Sequence, residues 1–260
     1  MTSGVALRPR DYVGVRGPDA EDFLQRMLSN DVSGEFCDAL LLTPKARVIA
    51  PLRVWRRRED DFLLLTEPGL GETVRSTLLR ARFAAKCEVD LEEHSSAIVF
   101  GEGDGIPNPD YGLPAVEVLD QPLEPTVGDD ELEVLRITAG TPRFGRELDD
   151  RVLPAEAGLV ERAVSLTKGC FPGQEPIARL HYRGHANRGL RVLALEGADL
   201  PDYDAELTYE EKVVGRVTSA GRDGDRIVAL AYVRLEVPED ADLEVGGVTA
   251  RPLDSERTRP

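Results

Sequence analysis

One cysteine of this chain lies in a segment whose residue types suit thiol chemistry. Cys170 follows Lys168 by two residues and stands between Gly169 and Gly173, in the sequence Lys-Gly-Cys-Phe-Pro-Gly-Gln-Glu. A thiol acts as a nucleophile or metal ligand only as the thiolate, and a nearby ammonium with exposed backbone amides lowers the pKa of a thiol. On residue types alone, a glycine-punctuated turn around a small buried cysteine is slightly favoured over a reactive or ligating cysteine.

The polar residues beside Cys170 suggest how a reactive loop could be held. Lys168 would promote formation of the thiolate, and Gly169 and Gly173 would let the main chain bend tightly. Gln174 and Glu175 supply an amide and a carboxylate, and Arg179 stands four residues after Glu175. These three residues either hold the loop or contact a ligand, although a Glu175–Arg179 pair on a surface would contribute little stability.

The same region is the most basic part of an acidic chain, which has a formal net charge of -16. Between Lys168 and Arg191 only one carboxylate, that of Glu175, stands against five cations: Lys168, Arg179, Arg183, Arg188 and Arg191. This contrast predicts a focused site for an anion such as a polyglutamate tail, a phosphate or an RNA backbone. A solvated strand edge is an equally good interpretation, and the net charge argues against nucleic-acid or membrane binding by the whole surface.

The spacing of the basic residues, with Gly184 and Gly189 among them, favours an extended or looped segment over a metal-binding helix. Residues 177–193 alternate apolar and polar types, so Arg179, His181, Arg183 and His185 would share one face of a strand. Although His181 and His185 are four residues apart, no third ligand is evident, and we predict no metal site. The cysteines Cys37, Cys87 and Cys170 form no C-x-x-C pair, which indicates a reducing compartment.

Composition and length predict a soluble, cytoplasmic globular protein. The chain has 260 residues, of which 41% are hydrophobic, enough for one large domain or two smaller ones. It has no apolar run of signal-peptide character and none that approaches the ~20 residues of a membrane span. Trp55 is the single tryptophan, and we expect it to pack in a core or an interface.

The first part of the chain predicts a mixture of helices and strands. Apolar residues recur with helical spacing from Ala20 to Leu28 and again over 72–83. Extended segments are predicted at 39–42, 48–54, 62–65, 89–91 and 97–100. Pro51 should place its strand at an edge or a bulge, and the Gly/Asp/Pro/Asn-rich stretch 101–109 should be a mobile surface loop.

From Gly189 onward the pattern is all β. Short extended runs at 190–195, 213–217, 227–233 and 248–250 are separated by turn residues. The sequence Arg-Asp-Gly-Asp at 222–225 predicts a hairpin, because Asp-Gly suits the turn that matches strand twist. We place the domain boundary near 184–187, which divides the chain into 1–185 and 186–260.

Together with Ala178 and Arg179 after it, the segment 168–175, which we call the signature loop, resembles the signature of the YgfZ family. Members of this family are relatives of the glycine-cleavage T-protein. The resemblance extends over most of the chain, to the segments 23–32, 42–45, 136–148, 153–159 and 214–220. It implies an α+β, T-protein-like folate-binding body of two interleaved subdomains, the second at roughly 46–100, followed by a C-terminal β-barrel.

The resemblance also implies a function. Members of the family are described as folate-binding accessory proteins that support the assembly, repair or maintenance of iron–sulfur enzymes, including those that modify tRNA. It implies tetrahydrofolate or a derivative in a central channel lined by Cys170, whose thiol would be a redox group or a transient cluster ligand. Partners would be iron–sulfur proteins or their assembly factors. Further ligand-binding candidates are Glu156, which could instead cap a turn, Arg143 and Arg183.

Two departures from the T-protein pattern argue against aminomethyl transfer. The carboxylates associated with that reaction in the T-protein align with Ala50-Pro51 and with Thr138, none of which can orient a reduced folate or stabilise a cationic centre. We therefore predict that the chain is not a glycine-cleavage aminomethyltransferase. The alternatives to an accessory protein are another folate-dependent one-carbon transferase, and a module that delivers folate or recognises tRNA with Cys170 in a structural role.

Overall fold

The computed structural model of this chain describes residues 4–197 and 199–253. The strands in this part of the chain are β1 (Val5–Leu7), β2 (Asp11–Arg16), β3 (Phe36–Leu42), β4 (Val48–Arg58), β5 (Asp61–Thr66), β6 (Glu88–Glu92), β7 (Ser96–Phe100), β8 (Ile106–Pro107), β9 (Ala115–Leu119), β10 (Arg188–Leu195), β11 (Glu206–Tyr209), β12 (Lys212–Asp223), β13 (Arg226–Arg234), β14 (Leu243–Val245) and β15 (Val248–Pro252). The helices are α1 (Ala20–Met27), α2 (Gly71–Ala81), α3 (Asp129–Thr138), α4 (Val160–Ala163) and α5 (Gln174–Arg183).

A five-stranded antiparallel sheet, in the order β3-β4-β5-β2-β6, carries α1 and α2. Both predicted helices are confirmed, and each buries its apolar stripe in the sheet's core cluster, with Phe23 and Leu24 from α1 and Val74 and Leu78 from α2. Burial of each such side chain contributes roughly 1.5–3 kcal/mol. The strands predicted between residues 39 and 100 are also present.

Pro51 does not lie on an edge strand, because β4 pairs with β3 on one side and β5 on the other. The pairing of β4 with β5 begins only at Arg53, however, and the Pro51 carbonyl accepts a hydrogen bond from Thr66 Oγ1 at 2.8 Å. The missing N–H of Pro51 therefore falls outside the β4–β5 ladder, which is how an inner strand tolerates a proline here.

The second sheet has the order β1-β7-β9-β8 and shows that the predicted surface loop at 101–109 is partly buried. Ile106 and Asn108 are each only 2% exposed, and β8 pairs with β9. The composition of this stretch reflects its turns, whereas Ile106 packs against Leu63 and Leu65 and the Asn108 side chain donates a hydrogen bond to the buried Glu117 of β9.

The C-terminal strands close into the predicted barrel, in the order β10-β13-β12-β11-β14-β15. The 222–225 hairpin is confirmed, with Asp223 paired to Arg226 across the turn. Strand β13 is buried on both faces: Ala229 and Ala231 lie in the barrel core, while Val228 and Leu230 pack outward against α3. The barrel is therefore packed against the rest of the protein through an apolar face.

A buried carboxylate also joins the barrel to the body. Glu147 is fully buried and accepts hydrogen bonds from Arg136 Nη1 at 3.0 Å and Ser219 Oγ at 2.6 Å. Its backbone carbonyl accepts a further bond from Tyr232 Oη at 2.8 Å. Helix α3, the loop after it and two barrel strands thus share one polar joint, and α3 was not predicted from the sequence.

Residues 177–193 were predicted as extended or looped, but the first seven of them lie in helix α5, and only the part from Arg188 onward is a strand, β10. The alternating basic residues of α5 are exposed, and the burial of Ile177 near the start of the helix fixes it against the body. Pro176 is compatible with this because the first turn of a helix has unpaired N–H groups. The alternation of basic residues at 179, 181, 183 and 185 is therefore a pattern of solvent-exposed side chains and not the face of a strand. Contrary to the prediction from the sequence, the four side chains do not share one face.

Candidate functional site

A cavity of about 610 Å³ lies where the two sheets meet α3, α4 and the loop after α3. Its walls combine apolar side chains with charged ones. The apolar residues include Leu52, Leu65, Tyr111, Leu132 and Leu159. We call this the central cavity. Its volume falls within the range that small-molecule and cofactor sites occupy, and its mixed lining is typical of such sites.

Four charged side chains that line this cavity contact one another: Asp38, Arg53, Asp110 and Arg162. Arg53 Nε and Arg162 Nε donate to the two oxygens of Asp38 at 3.1 and 2.5 Å. Both arginines also contact Asp110, Arg53 at 3.3 Å and Arg162 through Nη2. Burial alone would raise the pKa of Asp110, but the surrounding arginines hold it well below its usual range.

The set continues inward to Glu117, whose side chain is fully buried. Arg10 Nε donates to it at 2.5 Å and Arg53 Nη1 at 3.3 Å, while Ser96 Oγ and Asn108 Nδ2 each donate at 3.0 Å. Burial opposes the charge of Glu117, yet these donors lower its pKa. We call Arg10, Asp38, Arg53, Asp110, Glu117 and Arg162 the cavity charge cluster.

The sequence analysis did not identify the cavity charge cluster. Its members come from six separate segments, so no local spacing relates them. One signal was available: Arg53 interrupts the apolar run of β4, and an arginine inside such a strand requires buried partners.

The opposite side of the central cavity is lined by Glu133, Arg136 and Arg143. Arg143, a predicted ligand-binding residue, donates to Glu133 at 3.0 Å and keeps 35% of its side chain exposed. Arg136 is nearly buried between Glu133 and Glu147. Of these cations Arg143 is therefore the one with donor capacity facing solvent.

Cys170 is exposed and free, which contradicts the interpretation of a small buried cysteine. Cys170 is not among the residues that line the central cavity, in contrast to the prediction of a central channel lined by this residue. The side chain next to it that is buried is Phe171. The loop therefore presents its thiol to solvent and anchors itself through the neighbouring ring.

Lys168 does not contact the thiol. Its Nζ donates to the carbonyl oxygens of Leu28 and Asn30 at 2.7 and 2.6 Å, and burial lowers its pKa to about 8. Backbone and side-chain bonds from Ser29 to residues 163 and 165 reinforce the contact between these segments. The geometry makes Lys168 an anchor of the signature loop rather than an activator of Cys170.

The two signature glycines differ in their surroundings. Gly173 has φ +84°, and a Cβ there would lie 2.9 Å from Thr43 O and from the Cα of Ala46. A Cβ on Gly169 would meet no atom within 4 Å. Only Gly173 is required by the fold, because it combines left-handed backbone with close approach of another chain segment.

A second pocket, of about 440 Å³, lies between α5 and residues 153–155. Three residues proposed from the sequence line it, namely Glu175, Arg179 and Arg183. Among the described residues neither arginine has a hydrogen-bond, ion-pair or ring partner, so Glu175 and Arg179 do not form the ion pair considered above. Gln174 begins α5, and its backbone N–H donates to Phe171 O at 3.3 Å. We call this pocket the α5 groove.

The other arginines of the basic segment between Lys168 and Arg191 are engaged elsewhere. Arg188 donates to Glu156 at 3.1 Å, and Arg191 donates to the carbonyls of Val237 and Pro238. Glu156 also accepts the Leu153 N–H at 3.0 Å, so it caps a turn and does not line either pocket. Only Arg179 and Arg183 remain available to an anion.

The positions aligned with the T-protein carboxylates are visible in the fold. Ala50 is buried in the core of the five-stranded sheet, and Pro51 lines the central cavity. Thr138 ends α3 and does not line the cavity.

Within residues 4–197 and 199–253, no group of three or more His, Cys, Asp or Glu side chains is arranged to hold a metal ion. In the same part of the chain no helix has the length and apolar character needed to cross a membrane. All three cysteines are free thiols, and burial raises the pKa of Cys37 to about 12.

No protein-family model matches the sequence. The chain is 27% identical to the tRNA-modifying protein YgfZ of Edwardsiella ictaluri, with 90% of this chain and 85% of that protein covered. It is 25% identical to an iron-sulfur cluster assembly factor IBA57 homolog, mitochondrial, from Pyricularia oryzae, with 96% and 76% covered.

The fold is that of a known enzyme. The glycine cleavage system aminomethyltransferase T from Bartonella henselae superposes with a TM-score of 0.81 over 99% of this chain and 87% of that chain, at 20% identity. This likeness confirms the predicted T-protein-like architecture with its C-terminal barrel. Over most of its length the chain is therefore similar to YgfZ and IBA57 proteins, and it has the fold of the glycine-cleavage aminomethyltransferase.

Proposed function

We propose that this protein is a folate-binding accessory protein that supports iron–sulfur enzymes, including enzymes that modify tRNA. Two relatives that align with most of the chain are named for iron–sulfur cluster assembly and for tRNA modification. The observation that carries the folate part of the proposal is the central cavity, which occurs in a fold shared with a glycine cleavage system aminomethyltransferase.

The central cavity suits a reduced folate in size and chemistry. Leu52, Leu65 and Tyr111 offer apolar surface to a ring system. Asp38 and Asp110 carry carboxylate oxygens that can accept hydrogen bonds from ring nitrogens, and the cavity charge cluster holds both in place. Arg143 would bind an anionic tail because its guanidinium is partly open to solvent. A bound folate would supply one-carbon chemistry.

Cys170 would act at the protein surface, as a redox group or a transient ligand toward a client protein or its cluster. Its exposure supports contact with a macromolecular partner, and the anchor at Lys168 would hold the loop in place. In this proposal Gln174, Glu175 and Arg179 support the loop or the partner, whereas Cys170 does not touch a folate in the central cavity.

The protein would not be a glycine-cleavage aminomethyltransferase. Ala50, Pro51 and Thr138 lack the acidic groups that align with them in the T-protein, and Ala50 is buried besides. Folate-dependent transfer from a lipoyl-bound aminomethyl donor would contradict this. A different one-carbon transferase is the second candidate, because Asp38 and Asp110 place carboxylates at the central cavity.

Folate binding is tested by isothermal titration with 5-formyltetrahydrofolate. We expect Arg143→Ala to weaken binding by about tenfold, the loss of one charge-assisted contact. Arg58→Ala, an exposed arginine outside the cavity, is the matched control and should leave binding unchanged. Equal binding by wild type and Arg143→Ala would remove Arg143 from the folate site, and no binding would refute the folate proposal.

The iron–sulfur role is tested in a bacterial strain that lacks its own YgfZ-family protein. We expect the wild-type chain to restore the activity of an iron–sulfur tRNA-modifying enzyme and Cys170→Ala to fail. Cys37→Ala should complement like wild type, because burial disfavours the Cys37 thiolate. Full complementation by Cys170→Ala would contradict the proposed role of Cys170 and leave the folate experiment unaffected.

A further inference from the structure

The α5 groove is a second binding site that shares no lining residue with the central cavity. Its floor is apolar, formed by Ala46, Leu153, Pro154, Ile177 and Leu180. Arg179 and Arg183 line it from one helix, four residues apart and hence on one face.

The two arginines differ from those of the cavity charge cluster. In the central cavity the arginines of the cavity charge cluster are matched by carboxylates, whereas Arg179 and Arg183 are exposed and have no partner among the described residues. Glu175 is the one acidic residue that lines the groove. In a protein with a net charge of -16, the α5 groove is therefore a local site for negative charge.

The surface beside the groove extends the site beyond a small-molecule pocket. Tyr182 is 70% exposed and lies three residues after Arg179, next to it on the helix surface. Tyrosine and arginine are the residue types most enriched at the energetic centres of protein interfaces. An apolar floor, two unpaired guanidinium groups and an exposed ring together match a polypeptide better than a lone anion.

We propose that the α5 groove binds an acidic segment of a partner protein, in which apolar side chains are flanked by Asp or Glu. The apolar side chains would fill the floor, and the carboxylates would pair with Arg179 and Arg183 through charge-assisted hydrogen bonds. RNA fits less well, because two arginines supply few phosphate contacts and the apolar floor offers none. The proposal does not depend on folate binding or on the iron–sulfur role.

The experiment titrates ¹⁵N-labelled full-length protein with a hexapeptide of two central leucines flanked on each side by two acidic residues. We expect the changes in amide chemical shift to be confined to α5 and residues 153–155. Reversing both charges, Arg179→Glu with Arg183→Glu, should weaken binding at least tenfold. The matched control, Arg26→Glu with Arg58→Glu, changes the net charge equally at exposed positions outside the groove and should stay within twofold of wild type.

A second peptide, with serines in place of the leucines, tests the apolar floor and should bind at least fivefold more weakly. Circular dichroism establishes that each variant is folded. The proposal is overturned by the absence of peptide binding at millimolar concentration, by equal weakening in the two charge-reversal variants, or by equal binding of the serine peptide. It is also overturned if a short single-stranded RNA shifts the same residues at lower concentration than the peptide.

Discussion

The central cavity and the α5 groove treat their arginines in opposite ways. At the cavity, Arg53 and Arg162 share Asp38 and Asp110, and Arg10 and Arg53 share the buried Glu117. At the groove, Arg179 and Arg183 face solvent without partners among the described residues. Charges paired in advance give a rigid site whose polar groups do not need to move, whereas unpaired surface charges retain their full capacity for a partner that binds and leaves.

The two sites also differ in how they are assembled. The cavity charge cluster joins residues up to 124 positions apart, as in the Arg162–Asp38 pair. The groove arginines are four residues apart on one short helix, whose N-cap, Gly173, lies against the 43–46 turn. Substitutions in the cavity cluster should therefore affect global stability, and substitutions at the groove should affect binding alone.

The largest effect should come from removing the centre of the cavity cluster. Glu117→Ala removes the closest carboxylate of the buried Arg10, which keeps only Asp110 at 3.8 Å, and one of three carboxylate partners of Arg53; breaking such a buried pair costs about 3–5 kcal/mol. Urea unfolding of the variant would measure this loss. Glu175→Ala, at the groove, should change the free energy of unfolding by no more than about 0.5 kcal/mol. Similar losses of unfolding free energy in the two variants would contradict the claim that only the cavity charge cluster contributes to global stability.

The glycines of the signature loop give a smaller contrast. Gly173→Ala forces a side chain into left-handed backbone and to 2.9 Å from Thr43 O, so we expect a loss of about 2–3 kcal/mol. Gly169→Ala should stay within about 0.5 kcal/mol of wild type, because open space surrounds it. Thermal and urea unfolding of both variants would test this, and a stable Gly173→Ala would mean that the 43–46 turn yields.

Lys168 should give the stability a pH dependence of its own. Burial lowers the folded-state pKa of Lys168 to about 8, whereas the unfolded-state pKa is about 10.4. Between these values the unfolded state binds more protons, so stability gains from rising pH. From pH 8 to 10 we expect the unfolding free energy of wild type to rise by about 1 kcal/mol relative to that of Lys168→Met, after allowance for solvent screening. A constant difference would contradict the burial of Lys168.

His94 should give the smallest effect, with the opposite sign. Burial would lower the pKa of His94, but the carboxylates of Asp120 and Glu92, at 2.6 and 3.0 Å, raise it. Its stabilising contribution is therefore complete below the unfolded pKa of about 6.5 and disappears as pH rises through the higher folded value. His94→Gln should lower the free energy of unfolding by at most about 1 kcal/mol at pH 5.5 and by almost nothing at pH 9. The effect is small because His94 and its two carboxylate partners are partly solvated. Urea unfolding at both pH values measures this; an equal loss would exclude titration as the cause.

Parts of the fold that depend on neighbouring residues were predictable. Helix α1 follows from the apolar spacing of 20–28, the 222–225 hairpin follows from its Asp-Gly turn, and the barrel follows from short strands separated by turn residues. Helix α5 was not, because its exposed Arg and His residues alternate and masked the helical spacing of a short buried face. Helix α3 was missed although its acidic first turn is typical of a helix start, and its buried residues pack against barrel residues that are distant in sequence.

The sequence by itself indicated the signature loop, its resemblance to YgfZ proteins and the periods of α1, α2 and most strands, because motif residues and local propensities are adjacent in the chain. Only the tertiary structure decided which charges are paired. Cys170 is exposed, Lys168 is bound to the carbonyls of Leu28 and Asn30, and Glu117 meets Arg10 from 107 residues away. Burial and ion pairing depend on contacts between distant segments, and the folding of the chain, rather than its local pattern, sets those contacts.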